Sequence, residues 1–358
     1  MNFMIGIERE GLRINSKGEL ADTPHPLEFG DRLKNPTIST DFGDAMLELR
    51  THPQTSADAC YAELLKTTSY VLNLLHKRQE FIWPYSIPYN IPDEAHFRYN
   101  PYPYHPDYEE HERLITKIYG LKKNCISGIH INFSFSNEMF DKIRRIYPSI
   151  PDDKDETYFK CARQLLKNEK EIRHFFDASP SDLEGNIIKE NSFRNSKNGF
   201  RNENAKKLDY GSKTSYLKSL KLTHSYERLS ALRLKSVDKE NFDEGIAEHG
   251  INRLEFRLCD INPFNICGIS IYEIELAVAI IFTSMVKDEL PDNPSDILIE
   301  CDDVNKTLKL GLERGIKHFM EREKTGINIS DEVRTLLQKD GYKGLINLAV
   351  QYGKNCNE

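Results

Sequence analysis

Four segments that lie far apart in the chain alternate polar and apolar residues, as a half-buried strand does. Successive side chains of a strand point to opposite faces of a sheet. Each segment therefore has an apolar face and an opposite, mostly polar face. The segments are Ile5–Arg13, Ala45–Arg50, Ser127–Phe135 and Asn252–Asp260. If the strands lie side by side, the sheet has one face that forms a core and another face that is rich in acids.

The polar faces carry a set of groups that suits a hard metal ion. Crowded carboxylates raise one another's pKa or recruit cations, and oxygen ligands with one imidazole suit Mg²⁺ or Mn²⁺ better than zinc. The alternative is that each is an ordinary solvated face, but like charges on neighbouring strands cost up to about 1 kcal/mol per pair. The pattern thus favours a metal–nucleotide enzyme. The polar-face residues are Glu8, Glu10, Glu48, Arg50, His130, Asn132, Arg253, Glu255 and Arg257.

Composition excludes several classes of protein. The chain has 358 residues, 39% hydrophobic and 29% charged, as a soluble globular protein does. A formal charge of −7 without a basic stripe argues against a nucleic-acid partner. Seven scattered cysteines without a CxxC pair predict reduced thiols in the cytoplasm. No signal peptide is evident at the start, and the apolar run Ile269–Met285 contains Glu273 and Glu275, which predicts a buried helix and no membrane contact.

The remaining pattern predicts one α+β domain over residues 1–358 with a helical C-terminal portion from about residue 270. Residues 179–226 are polar, and we expect them to form long loops with short elements, suited to a mobile cover over a substrate. Glycine-rich phosphate-binding motifs and the HExxH and GxSxG motifs are missing from the sequence, so any nucleotide phosphates must be held by a metal ion and arginines. The predicted helices are Asp58–Gln79 with Ser56 as cap, His111–Tyr119, Glu156–Phe176, Ser270–Lys287, Asp303–Glu323, Ile329–Gln338 and Gly344–Tyr352.

Five motifs in order resemble those of the bacterial glutamate–cysteine ligases, including the ligase portion of the bifunctional glutathione synthases. They are GIEREGLRINSKGELADTPHP (Gly6–Pro26), STDFGDAMLEL (Ser39–Leu49), IWPYSIP (Ile82–Pro88), ISGIHINFSF (Ile126–Phe135) and LEFRLCDINPF (Leu254–Phe264). The resemblance implies a curved, mostly antiparallel sheet that forms a funnel. It also implies an enzyme that uses ATP to activate the γ-carboxylate of glutamate as an acyl phosphate, which the amine of cysteine then attacks.

The resemblance also assigns roles to residues of this chain. Arg257 would steady the transferred phosphoryl group beside the catalytic Glu255, and Arg233 would lie near the nucleotide. Arg194 would bind an amino-acid substrate. Asn132, which shares its strand face with His130, is assigned to substrate binding as well. The implied Mg²⁺ or Mn²⁺ ligands are Glu8, Glu10, Asp41, Glu48, His130 and Glu255.

Two departures concern the acceptor amine. Phe200 and Leu229 stand where some members of the family place tyrosines that line the cysteine pocket. The sequence also lacks a second ATP-grasp module. A γ-glutamyl ligase for another small amine therefore stays open, as does a catalytically silent binding relative, although the metal-ligand set is complete. The implied partners are small molecules only: ATP, glutamate and an amine.

Overall fold

The computed structural model describes residues 3–100, 106–199, 208–222, 230–237, 242–289 and 306–356. The strands in these ranges form one seven-stranded sheet in the order β2-β3-β1-β5-β7-β6, and β4 pairs with the end of β1. All of the pairings are antiparallel. The strands are β1 Phe3–Asn15, β2 Ile38–Thr40, β3 Met46–Arg50, β4 Glu80–Ile82, β5 Ile129–Phe135, β6 Leu232–Lys235 and β7 Arg253–Cys259.

The predicted strands are confirmed as the adjacent strands β3, β1, β5 and β7. Their register places Glu10 opposite Glu48 and Glu8 opposite His130. Glu255 lies opposite Asn132 on one side and opposite Arg233 on the other. The acids of distant segments are therefore neighbours on one face, as the alternation predicts.

Several helices of the described ranges cover the apolar face of the sheet, and strands and helices together form an α+β fold. The buried helix predicted around residues 270–287 is confirmed: Ser270 caps it in a capping box with Glu273, and every residue from Ile274 to Val286 is buried. None of these helices is both long and apolar enough to cross a membrane. The helices are α1 Ala57–Lys77, α2 Pro106–Tyr119, α3 Leu121–Asn124, α4 Asn137–Ile146, α5 Lys154–Lys167, α6 Glu169–Phe176, α7 Lys213–Leu222, α8 Phe242–His249, α9 Ile271–Val286, α10 Lys306–Glu323 and α11 Ile329–Asn355.

Several helix boundaries differ from the predictions. The helix predicted over Glu156–Phe176 is two helices, because the backbone leaves helical geometry at Asn168. The two predicted C-terminal helices are joined in α11, which kinks at Gly341, where φ is 57°. In the described part of the range 179–226, predicted as long loops with short elements, α7 is a short helix of 10 residues.

One apolar cluster packs beneath the sheet. It joins the inward residues of the strands, such as Ile7, Leu47, Ile131 and Phe256, to α1, α5, α9 and α10. Side chains along a strand alternate between the two faces of a sheet. Because these apolar residues are buried on one face, the acidic side chains between them lie on the other face. The core thereby positions the site.

Candidate active site

A cavity of about 300 Å³ lies over the polar face of the sheet. Its base, here called the floor, consists of sheet residues and Asp41, which follows β2. Its opposite side, here called the wall, comes from α2 and α3. The floor residues are Glu8, Glu10, Asp41, Glu48, His130, Arg233, Lys235, Glu255 and Arg257, and the wall residues are His111, Ile115, Tyr119, Lys123 and Asn124.

At the centre of the floor, Glu8, His130 and Glu255 offer one ligand atom each, and these atoms lie within 4.8 Å of one another. His130 Nδ1 is 3.3 Å from Glu8 Oε2 and 3.5 Å from Glu255 Oε1. His130 Nε2 is 3.5 Å from Glu10 Oε1. Burial, followed by the positive charge of Arg257, lowers the pKa of His130 to about 4. The imidazole is thus neutral near pH 7, which is the form that binds metals.

Three acids at the β3 side of the floor are hard to ionise together. Burial and the nearby Asp41 raise the pKa of Glu10 to about 8. Burial and the charges of Glu8 and Asp41 raise the pKa of Glu48 to about 8, and burial also raises the pKa of Asp41. Nearby arginines and two hydrogen bonds favour the anions but do not outweigh burial: Gly128 N donates to Glu10 Oε2 at 2.7 Å and Ser39 Oγ donates to Glu48 Oε2 at 2.9 Å. A bound cation would stabilise these carboxylates in the ionised form.

The two acids at the β7 side are held ionised by neighbouring groups, chiefly Lys235. Burial and Glu255 act to raise the pKa of Glu8, but Lys235 and His130 outweigh them and bring it to about 2. Burial also opposes ionisation of Glu255, yet Lys235, Arg257 and His130 hold the pKa of Glu255 well below its usual range. Glu255 is fully buried and forms ion pairs with both Lys235 and Arg257.

The floor fits a divalent cation by its charge and by its donors. Five carboxylates face three cationic side chains, so the ionised floor has two surplus negative charges. Carboxylate oxygens and a neutral imidazole are ligands that Mg²⁺ and Mn²⁺ accept. Within the described part of the chain, the predicted metal-ligand residues thus lie together in one site, with Glu8, His130 and Glu255 closest to one another.

The predicted arginines divide into two groups. Arg233 and Arg257 line the cavity. Arg194 is buried and does not line it in the described structure: its Nη2 donates to the Arg257 carbonyl at 3.0 Å, and its Nη1 lies 3.7 Å from Asp260 Oδ1. Arg194 thus supports the strand that carries Arg257.

Asn132 lies on β5 beside the floor and connects the neighbouring strands β1 and β7 through its side chain. Its Nδ2 donates to Glu8 Oε1 at 2.9 Å, and its Oδ1 accepts from Arg253 Nε at 3.0 Å. Phe200 and Leu229, predicted near the acceptor, lie outside the described residues.

Sequence reasoning missed Lys235 and the wall. Lys235 stands two residues after Arg233 and shares its face of β6, a spacing that could have revealed it. The wall residues His111, Ile115 and Tyr119 recur every four residues along α2, a spacing that puts them on one helix face but is equally typical of a core-facing helix.

Glu112 fixes the wall to the loop that carries Asp41. Its two carboxylate oxygens accept from Gly43 N and Asn100 N, both at 2.9 Å. Asn100 in turn accepts from Thr40 Oγ1 at 2.9 Å. The wall and the β2 end of the floor are therefore held together by buried hydrogen bonds.

Residues 1–228 match the family described as glutamate–cysteine ligase. The chain belongs to the glutamate–cysteine ligase family. The glutamate–cysteine ligase of Clostridium acetobutylicum is 31% identical over 332 residues, which cover 74% of this chain and 68% of that protein. The glutathione biosynthesis bifunctional protein of Listeria monocytogenes is 34% identical over 293 residues, or 74% of this chain. The chain spans only 38% of the length of that bifunctional relative.

Two solved structures have the same fold as this chain. The glutamate–cysteine ligase from Francisella tularensis, solved in complex with AMP, aligns over 100% of this chain and 89% of its own, with a TM-score of 0.83 and 20% identity. A bifunctional glutathione synthetase from Pasteurella multocida aligns over 99% of this chain and 52% of its own, with a TM-score of 0.79 and 23% identity. These likenesses confirm the α+β architecture with an open, antiparallel sheet.

Gly128→Ala tests how tightly the floor is built. Gly128 holds Glu10 through both backbone groups, since its carbonyl also accepts from Glu10 N at 3.1 Å. An added Cβ would lie 2.2 Å from Nη2 of the buried Arg194. We expect overpacking to lower the free energy of unfolding by about 1–3 kcal/mol in urea denaturation.

The matched control is Gly6→Ala on β1. Its Cβ meets nothing closer than Asn132 Cβ at 3.7 Å, an ordinary contact. We expect the control to change the free energy of unfolding by no more than about 0.5 kcal/mol. Equal stability of the two variants would show that Arg194 can move aside at no cost.

Proposed function

We propose that this chain is an ATP-dependent ligase that joins the γ-carboxylate of glutamate to the amine of cysteine. The observation that carries the proposal is the floor, where acids from β1, β3 and β7 and Asp41 after β2 meet three cationic side chains under one cavity. Membership of the glutamate–cysteine ligase family supports the same reaction. Carboxylates beside arginines are the groups needed to hold a metal–nucleotide and its transferred phosphoryl group.

The proposed reaction has two balanced steps. A γ-carboxylate oxygen of glutamate attacks the γ-phosphorus of ATP, the bond to the bridging oxygen breaks, and ADP leaves. The neutral amine of cysteine then attacks the acyl carbon, inorganic phosphate leaves, and the nitrogen loses a proton as the amide forms. Both steps move negative charge onto phosphate oxygens, so cationic groups that face those oxygens accelerate them.

The floor residues take separate roles in this proposal. Glu8, Glu10, Asp41, Glu48, His130 and Glu255 would hold Mg²⁺ or Mn²⁺, which would neutralise phosphate charge. Arg257 would face the transferred phosphoryl group, and Arg233 would face the nucleotide. Glu255 keeps the Arg257 guanidinium in place through their ion pair.

The acceptor side is the less constrained half of the proposal. We assign Arg194, Asn132, Phe200 and Leu229 to substrate binding. Arg194 would act through its bond to the Arg257 carbonyl, and Asn132 through its bond to Glu8. An amine other than cysteine is the alternative that this assignment leaves to experiment.

Purified protein with ATP, Mg²⁺, glutamate and a panel of amines tests the function. We expect ADP release that depends on glutamate, and a product whose mass equals that of γ-glutamylcysteine. If the protein turns over another amine in preference to cysteine, that amine and not cysteine is the acceptor. Absence of glutamate-dependent ADP release with every amine would overturn the ligase proposal.

Phe200→Tyr combined with Leu229→Tyr tests the acceptor positions. Added hydroxyls in a site that binds a polar amino acid can discriminate strongly between related substrates. We expect the double variant to raise kcat/KM for cysteine relative to other small amines by about tenfold, or roughly 1.4 kcal/mol. An unchanged amine profile would remove both positions from the acceptor site.

A further inference from the structure

Lys235 extends from β6 into the floor between two acids. Its Nζ forms an ion pair with Glu255 Oε2 and lies 4.0 Å from Glu8 Oε1. Its side chain is 14% exposed and lines the cavity. The lysine ammonium therefore borders both the buried acids and the open space above them.

The same two acids belong to the group that can hold a metal ion. Glu8 and Glu255 are two of the three residues whose ligand atoms lie within 4.8 Å of one another, and His130 is the third. Two positive charges a few ångströms apart repel strongly in a buried site. A divalent cation on these acids and an ammonium group in contact with them are therefore in competition.

Lys235 is better suited to leave than its cationic neighbour. Arg257 contacts the other carboxylate oxygen, Glu255 Oε1, and its guanidinium also lies 3.4 Å from His130 Nδ1. A lysine is a point charge on a flexible four-carbon stem, whereas arginine holds a fixed fork. Departure of Lys235 would free one oxygen of Glu255 without disturbing the contact with Arg257.

We propose that Lys235 is an exchangeable counter-cation. Without a divalent cation it neutralises Glu8 and Glu255. When a divalent cation binds these acids, the ammonium group turns into the cavity and contacts a phosphate of the nucleotide. The first half of this proposal, neutralisation of the acids, requires only Glu8 and Glu255. The second half, the phosphate contact, rests on the proposed function because it requires a nucleotide in the cavity.

Lys235→Met tests the exchange by direct Mn²⁺ binding, measured by electron paramagnetic resonance on the whole chain without nucleotide. Methionine keeps much of the length of lysine and removes the charge. We expect Mn²⁺ to bind at least about tenfold more tightly to the variant because its competitor is gone. Lys235→Arg, which keeps a cation there, is expected to bind Mn²⁺ no more tightly than the original protein.

Lys123→Met is the matched control in the same cavity. Lys123 lies on the wall, and in the described part of the chain no ion pair joins it to the floor acids. We expect the Mn²⁺ affinity of the Lys123→Met variant to stay within about twofold of that of the original protein. Thermal unfolding followed by circular dichroism checks that each variant is folded. If the folded Lys235→Met variant binds Mn²⁺ as tightly as the original protein or more weakly, the proposal that Lys235 is a counter-cation is wrong.

Binding of ATP in the presence of Mg²⁺, measured by calorimetry, tests the second half. We expect Lys235→Met to weaken it by about tenfold, because a phosphate loses a charged contact. If Lys235→Met binds Mn²⁺ more tightly but binds ATP with unchanged affinity, Lys235 does not contact a phosphate of the nucleotide. If the original protein binds Mn²⁺ and ATP but releases no ADP with glutamate, the ligase proposal fails. The Mn²⁺ and ATP affinities of the variants still test both halves of this inference.

Discussion

Replacing Glu255 with glutamine is expected to lower glutamate-dependent ADP release by at least about a thousandfold, since loss of metal-based charge stabilisation costs several kcal/mol and each 1.4 kcal/mol is a factor of about ten. Glu255 is fully buried and belongs to the group of three that can hold a metal ion. Glutamine keeps its volume and removes its charge. Turnover assays with Mg²⁺ and ATP measure the effect.

The Glu255 variant is expected to stay folded. Lys235 and Arg257 lose a partner, but Glu8 and Glu10 remain on the same floor to face them. Circular dichroism and Mn²⁺ binding separate the two roles: a folded variant with weakened Mn²⁺ binding supports a metal ligand. Unfolding of the variant under conditions where the original protein is folded would make Glu255 structural. Glu321→Gln on the exposed face of α10 is the control for the change of charge.

Replacing Arg257 with lysine is expected to lower kcat by about a hundredfold, in the range found when one donor to developing charge is removed. The substitution keeps the positive charge but loses the planar fork that matches phosphate oxygens. Arg257 is buried, contacts Glu255 and lines the cavity. Steady-state kinetics should show the loss in kcat more than in KM for ATP, because the proposed contact is to the transferred group.

Arg253→Lys provides a matched control on the same strand and the same polar face. Arg253 binds Asn132 Oδ1 and the Ser236 carbonyl, and it does not line the cavity. We expect its kcat to change by no more than about threefold. Equal losses in both variants would show that any arginine-to-lysine change on β7 disturbs the sheet, and the assignment of Arg257 to phosphate would then fall.

The sequence predicted the floor because strands alternate strictly. Burying Ile7, Leu47 and Ile131 leaves no choice about where Glu8, Glu48 and His130 point. Periodicity says nothing about which strands are neighbours, so their adjacency came from the order of the family motifs. The structure supplied the register, including the irregularity at β5 and β7 between Ile129 and Ile131.

The parts that the sequence did not predict depend on tertiary contacts. β6 has only four residues, so the two-residue spacing from Arg233 to Lys235 is a weak signal beside the longer strands, and the fold is what shows that Lys235 faces the cavity. The wall residues on α2 have the spacing of any core-facing helix, and only the fold shows that they face a cavity. Arg194 matched a motif position, but its burial against the Arg257 carbonyl arises from residues 63 positions apart.

The order of the strands in the sheet has a consequence for synthesis of the protein. β1 is made first and lies between β3 and β5, but β5 finds its other neighbour, β7, only after residue 259 has been added. Until then the nascent chain presents an unpaired strand edge and an apolar sheet face that α9 does not yet cover. Pairing across such a long stretch of chain is slow because loop closure must come first. We therefore expect the chain to be most prone to aggregation before β7 and α9 have been synthesised.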